Sequence, residues 1–256
     1  MPVYDFDFRC FFDCRTPYEA PPRLPAVARI GAFTDYNEFF QDCARVGMEL
    51  IHSPEDHIRC STLPGWYPLI SDHTPRSRWY SRVPHFSEIE GEFELPVFIK
   101  GSRQTSKHKA AASIIRNRAE YEAASEIFRT DPILRWQELV CREFVPLRPV
   151  SGGAEGKVPA SFEFRSFWWR GQLVGAGRYW YEADQYTWSQ EEREAALEIA
   201  RKAVVALRCA FLVVDLAQTT SGRWIIIECN DGMESGYAGA SPFAIWQAII
   251  DCEAKG

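Results

Sequence analysis

Three groups of residues in this chain have the types and spacing to do chemistry. The first lies in FLVVDLAQTTSGRWIIIECND, where two apolar runs, each a strand in prospect, deliver Asp215, Glu228 and Asn230. A two-residue turn at Ser221-Gly222 would pair Thr220 with Arg223 and set Asp215 opposite Glu228. Asn230 then shares their face, because side chains two apart do. Lengthening the loop by two keeps that face; only an odd loop separates the acids. Two carboxylates so placed repel unless a proton or a cation intervenes. With an amide oxygen they form an all-oxygen set suited to Mg²⁺ rather than zinc, the alternative being surface acids that are solvated or paired with arginine.

The second group is basic. Pro96 to Arg118 contains no acid but carries Lys100, Arg103, Lys107, Lys109, Arg116 and Arg118. Lys100 ends the apolar run PVFIK, and Ser106 and Lys107 follow in a small-residue loop whose amides and ammonium groups can hold phosphate oxygens. The loop lacks GxxxxGK[ST], so it is not a P-loop, and a plain solvated loop stays open as a reading. The third group is Arg165, which shares one face of FEFRSFWW with Glu163 and Phe167. An arginine inside an aromatic strand requires an anion: Glu163, another acid or a phosphate.

Hydrophobic period and punctuation indicate the elements that must position these groups. VYDFDF alternates as a strand, Asn37–Leu50 has helical spacing broken near Gly47, and PEDHIRC reads as a turn and short helix. Prolines 64, 68 and 75 punctuate the chain and place a boundary near residue 75, giving an N-terminal region 1–75 and a larger unit 76–256. In the latter the spacing predicts strands at 95–100 and 139–145, a helix at 110–128, a loop at 149–159 and a hairpin turning at Arg170-Gly171. A helix capped by Ser189, the 211–229 hairpin and a helix at 241–254 complete it. Strands and helices intersperse without strict alternation, which favours an α+β architecture with largely antiparallel sheets.

Composition narrows the classes. Of 256 residues 46% are hydrophobic and 25% charged, as in a soluble globular protein, and the net charge of −6 argues against wholesale nucleic-acid binding. No apolar run approaches the roughly 18 residues that cross a bilayer. Asp5, Asp7, Arg9 and Asp13 exclude a signal peptide within the first 14 residues, so a cytoplasmic protein is expected. The eight cysteines are scattered. Cys10 and Cys14 with His52 or His57 could hold zinc, but ordinary reduced thiols are the better reading, and Cys141, Cys209 and Cys229 read as core.

Taken in order, PVFIK, GSRQTSK, CREFVPL, EFRSFWWRGQLVG and VVDLAQTTSGRWIIIECN resemble the ATP-grasp superfamily over about residues 75–245. REFVPL, EFRSF and VVDL followed by IECN are similar to the clade in which a family arginine is replaced by lysine, which includes the assembly factor for translation initiation factor 2. The resemblance implies two α+β subdomains gripping ATP, preceded by a small N-terminal domain. It implies that Lys100, Ser106 and Lys107 contact the phosphates and that the backbone of Glu143, Phe144 and Val145 meets the adenine edge. It also implies that Asp215, Glu228 and Asn230 hold Mg²⁺, with Arg165 and Lys107 steadying the transferring phosphoryl group. The activity implied is a ligase that activates a carboxylate as an acyl phosphate for attack by an amine, on a small-molecule, peptide or protein substrate. The alternative is a chaperone-like factor that binds ATP and a protein partner without ligating, for which Trp66, Trp79, Trp168 and Trp169 could supply an interface unless they are core. On the ligase reading, removal of Asp215 or Glu228 should abolish metal-dependent nucleotide binding with little loss of fold.

Overall fold

Whether the two acid-bearing runs meet depends on which faces of their sheet are covered. The computed structural model describes residues 24–31, 34–103, 110–153 and 155–255. The chain runs β1 (Leu24–Ala26), α1 (Tyr36–Arg45), β2 (Met48–Leu50), α2 (Pro54–Ser61), α3 (Leu63–Ile70), β3 (Ser77–Tyr80), α4 (Phe86–Glu90), β4 (Val97–Gly101) and β5 (Ile114–Ile115). It continues through α5 (Arg118–Thr130), β6 (Leu139–Glu143), β7 (Glu163–Trp169), β8 (Gln172–Arg178), α6 (Gln190–Leu207), β9 (Phe211–Gln218), β10 (Trp224–Asp231) and α7 (Pro242–Glu253). β1 and β2 form a short parallel pair. The rest divides into two antiparallel four-stranded sheets, ordered β3-β6-β4-β5 and β10-β9-β7-β8. The α+β expectation therefore holds.

In the second sheet the even positions Phe164, Trp168, Leu212, Val214 and Leu216 face α6 and α3. The small residues Ala196, Ala200 and Ala203 let α6 lie close. The Ser189–Glu192 capping box opens that helix, as the sequence anticipates. The odd positions Phe167, Trp169, Phe211 and Val213 lie under α7, through Ile245 and Ile249. α7 covers only that part of the odd face, so Glu163, Arg165 and Asp215, on the same face further along, are left toward the first sheet. Leu147, just beyond β6, bridges to Thr219 and so fastens the first sheet's exit to the end of β9 in the second sheet.

The β9–β10 connection departs from expectation. Thr219 N–H donates to Arg223 O at 2.8 Å, closing an odd, three-residue loop in which Gly222 takes φ +85°. The odd loop alone would place Ile227 opposite Asp215. A β-bulge between Ile226 and Glu228 absorbs the extra residue, and Glu228 pairs with Asp215 after all. The β7–β8 turn is as expected, with Arg170 and Gly171 both at positive φ.

Several expected bounds shift. The segment 110–128 is not one helix: Ile114 and Ile115 pair as β5 with β4, and α5 begins only after Asn117, whose side chain accepts from Glu120 N–H. β-branched residues at a sheet edge outweighed the helical spacing. The helix expected at 37–50 ends at Arg45, Gly47 at φ +79° turns the chain, and Met48–Leu50 pairs with β1. Pro64 and Pro68 are not punctuation but lie in α3, Pro64 in its first turn, where no N–H is missed. The VYDFDF strand falls outside the described residues. Trp66, Trp168 and Trp169 are buried core, and Trp79 packs half-buried against it. Cys141, Cys209 and Cys229 are buried as expected. Among the described residues no helix is long and apolar enough to cross a membrane.

Gly177 on β8 tests the packing that closes this sheet. A Cβ there would stand 2.3 Å from Ala240 N and 2.4 Å from Gly239 C, backbone atoms that cannot rotate away. Gly177→Ala should lose about 1–3 kcal/mol, read as a lower urea midpoint with unchanged slope.

Candidate active site

Four charged side chains form a row across the odd face of the second sheet. Arg165 on β7 pairs in register with Asp215 on β9, and Asp215 pairs with Glu228 on β10. Arg165 donates from Nε to Asp215 Oδ1 at 2.8 Å and from Nη2 to Oδ2 at 2.7 Å, a two-pronged ion pair. Its third prong donates to Gly236 O at 2.8 Å, and its guanidinium lies 4.9 Å from the centre of the Tyr179 ring. Burial favours loss of the Arg165 charge, but Asp215 overrides it and holds the guanidinium above its ordinary value. At the other end Lys100 Nζ, from β4 of the first sheet, pairs with Glu228 Oε1. Asp215 is wholly buried and Glu228 nearly so. Each of the two adjoining carboxylates thus has its own cation, one from its own sheet and one from the sheet opposite.

A cavity of about 310 Å³ opens beside this row. Its walls include Lys100 and the Glu143–Val145 segment on one side, and Glu163, Ile225 and Ile227 on the other. Positions along β9 give it an axis. Thr219 is bridged to Leu147 beyond the Glu143–Val145 segment, Ala217 pairs with Glu163, and Asp215 lies in the charged row. Each step is two residues, roughly 7 Å. Glu163 is buried and accepts from Ser161 Oγ–H and from the Trp180 indole N–H, both at 3.2 Å.

Arg142, on the same face of its sheet as Lys100, reaches across the cavity wall. Its Nη1 donates to Ile227 O, the bulged residue, at 2.6 Å, and its Nε to Ser77 Oγ at 2.9 Å. Burial lowers its pKa to about 10 despite the neighbouring Glu228. Its Nη2 is buried and has no hydrogen-bond partner among the described residues.

Beyond Asn230, on the opposite face of β10, Asp231 is buried against the N-terminal region. It accepts from His52 Nδ1 at 2.8 Å, His57 Nδ1 at 3.0 Å and Met233 N–H at 2.7 Å. Burial pushes its carboxyl up, but these donors outweigh burial and hold it at about 2. His52 Nε2 accepts the Phe211 N–H at 3.0 Å, so both His52 ring nitrogens are engaged by protein groups. Cys10 and Cys14 lie outside the described residues.

The sequence placed Lys100, Glu143, Phe144, Val145, Arg165, Asp215 and Glu228 at one site, and the structure brings all seven around the cavity and its row. Asn230 follows two residues after Glu228 on β10, paired with Val213. Ser106 and Lys107 lie outside the described residues. The anion sought for Arg165 is Asp215, not Glu163. Glu163 and Arg142 as cavity residues, and the histidines behind Asp231, were not singled out for these places. The only local signal was a charged residue inside an apolar run, which marks a buried polar group without naming its partner.

Asp215, Glu228 and Asn230 offer oxygens of the kind a hard divalent cation takes, although both Asp215 oxygens here accept from Arg165, and the unpartnered Arg142 donor beside an apolar slot fits an anionic ligand with a flat ring. The model of the ATP-grasp domain, arginine-to-lysine clade, family 3, matches residues 69–249. Among solved structures the chain is similar to a RimK domain protein ATP-grasp from Sphaerobacter thermophilus, with TM-score 0.58 and 14% identity over 83% of this chain and 73% of that one. It is similar to the VanG D-Ala:D-Ser ligase from Enterococcus faecalis, with TM-score 0.56 and 20% identity over 83% of this chain and 64% of that one. For the N5-carboxyaminoimidazole ribonucleotide synthetase from Thermotoga maritima the TM-score is 0.52 and the identity 14%, over 76% of this chain but only 48% of that one. At these identities the likeness is one of fold. No curated protein matches the chain.

Burial changes the expected effect of removing the acids. Asp215→Ala strands the buried Arg165 charge and should lower unfolding free energy by about 3–5 kcal/mol. Glu228→Gln keeps an acceptor for Lys100 and should lose less. Chemical denaturation of both variants orders them.

Proposed function

The chain belongs to the ATP-grasp domains of the arginine-to-lysine clade, family 3, and on that footing we propose that it is an ATP- and Mg²⁺-dependent ligase that joins a carboxylate to an amine. The observation that supports this reading is the Arg165–Asp215–Glu228–Lys100 row at one end of a largely apolar cavity whose other end is the Glu143–Val145 segment.

In this reading the adenine lies in the apolar slot, its edge against the peptide groups of Glu143, Phe144 and Val145, with the Glu143 side chain at the exposed rim. A nucleotide spanning from there to the charged row passes its sugar over the Glu163 row, so the Glu163 carboxylate accepts from ribose hydroxyls. Lys100, with Ser106 and Lys107 from the loop that follows it, contacts phosphate oxygens. Asp215, Glu228 and Asn230 would hold Mg²⁺, which when bound neutralises charge on the phosphates. Arg165, already fixed by Asp215 and Gly236 O, presents its charge with no reorganisation, and Lys107 supplies the other cation toward the transferring phosphoryl group.

The substrate carboxylate oxygen attacks the γ-phosphorus and ADP leaves, giving an acyl phosphate. The amine then attacks the carbonyl carbon, phosphate leaves, and the amine proton passes to solvent or a nearby base. A small molecule, a peptide or a protein can supply the carboxylate, and the reaction requires no membrane or nucleic acid. The setting we propose is the cytoplasm.

Release of ADP and phosphate in the presence of Mg²⁺, candidate carboxylates and candidate amines is the direct test. Tight nucleotide binding with negligible turnover across that panel would instead favour the assembly-factor reading, the finer likeness to the clade of the initiation-factor assembly protein. Lys100→Ala should weaken Mg·ATP binding by about tenfold or more, the scale of a lost charge-assisted hydrogen bond. ATP should bind about tenfold tighter than 2′-deoxyATP, and Glu163→Ala should erase that preference; equal affinities in the wild type would remove Glu163 from the ribose.

A further inference from the structure

The hydrogen-bond chain behind Asp231 extends past it. His57, on α2 of the N-terminal region, stacks on Tyr36 with ring centres 3.8 Å apart and planes at 5°. Its Nδ1 lies 3.0 Å from Asp231 Oδ2, and its Nε2 lies 2.8 Å from Arg103 Nη2. A guanidinium can only donate, so Nε2 is the accepting nitrogen and the ring is the neutral tautomer with its proton on Nδ1, given to Asp231. The same Arg103 Nη2 donates to Glu234 Oε1 at 2.7 Å, and the Arg103 backbone N–H donates to Gln137 Oε1 at 2.9 Å. Asp231 thus selects the His57 tautomer, and that tautomer offers the lone pair that orients Arg103.

The location of Arg103 gives this chain a role. It follows Lys100 by three residues, and its partner Glu234 follows Glu228 by six. β10 runs from the end near Leu147 through Glu228 to Asp231, so Arg103 and Glu234 lie on the side of the charged row away from the base-binding end. A nucleotide laid along that axis points its terminal phosphate there. The two ion pairs, Lys100–Glu228 and Arg103–Glu234, tie the first sheet to β10 and the segment after it.

Resting on the nucleotide-cleft reading above, we propose that His57 is a positioning residue. Through its Nε2 lone pair it holds the Arg103 guanidinium where the terminal phosphate of ATP arrives, so that residues before the family-matched segment complete the phosphate end of the site. ADP, which lacks that phosphate, is bound without this contribution.

The two ring nitrogens can be tested apart. In His57→Asn the amide N–H stands near Nδ1 and keeps the donor to Asp231, while the acceptor for Arg103 is lost. In His57→Gln the carbonyl reaches toward Nε2 and keeps the acceptor for Arg103, while the donor to Asp231 is lost. Calorimetric affinities for Mg·ATP and Mg·ADP, with thermal melts, are measured on the full chain for wild type, both variants, Arg103→Gln and Lys100→Ala. We expect His57→Asn to melt near wild type yet lose about tenfold in the ATP-over-ADP preference, the scale of one charge-assisted contact. We expect His57→Gln to melt lower and keep the preference, and Arg103→Gln, which leaves Asp231 untouched, to lose it as His57→Asn does. A preference unchanged in His57→Asn, with wild type binding ATP and Lys100→Ala weakened, overturns the positioning role alone, whatever Arg103→Gln does. A wild type that binds neither nucleotide overturns the cleft reading and this inference with it. Should His57→Asn fail to fold, His57→Gln decides: a preference lost although the acceptor for Arg103 is kept overturns the role, and a preference kept supports it.

Discussion

Asp215 and Glu228 face each other across neighbouring strands in a wall that excludes water, and two adjacent carboxylates cannot both stay ionised there without cations of their own. Arg165 supplies one from within the sheet and Lys100 the other from the sheet opposite. Neutralising the pair therefore fixes the distance between the two sheets at the mouth of the cavity. It also explains why a strand as apolar as WIII ends in acids. The strand is buried by its neighbours along most of its length, and its charged end is solvated by protein groups rather than by water.

Keeping the pair in register requires a second device. The odd β9–β10 loop offsets the strands by one residue, and the bulge at Ile227 restores the offset. A bulge leaves a carbonyl outside the regular ladder. Arg142, from the first sheet, donates to that carbonyl. The element that aligns the acids is thus held from across the cavity by a residue of the same face as Lys100.

Partial coverage of the odd face makes the site. α6 and α3, together with Trp188 and the histidines beside Asp231, cover the even face, whereas α7 stops short on the other side. The remainder, beyond the reach of α7, carries Glu163, Arg165 and Asp215. The N-terminal region does not stand apart. Cys60, Leu63 and Trp66 share a core with Leu212 and Val214, and Arg29, which donates to Ser235 O at 2.6 Å, and the histidines hold the segment that follows β10.

What the sequence determined by itself was local or periodic. The alternation in FEFRSFWW, the capping box at Ser189, the Arg170-Gly171 turn and the order of charged residues at strand ends are each set within a few residues, so the sheets, α6 and most of the site were legible. The β5 strand was not, because Ile114 and Ile115 adopt it only when β4 is there to pair with. Pairings between distant segments were decided by the tertiary structure: Asp215 with Arg165 rather than Glu163 with it, Lys100 with Glu228, and His57 with both Asp231 and Arg103. A buried charge announces in sequence that it must have a partner. Which partner it has depends on which faces remain uncovered once the sheets pack, and no spacing along the chain encodes that.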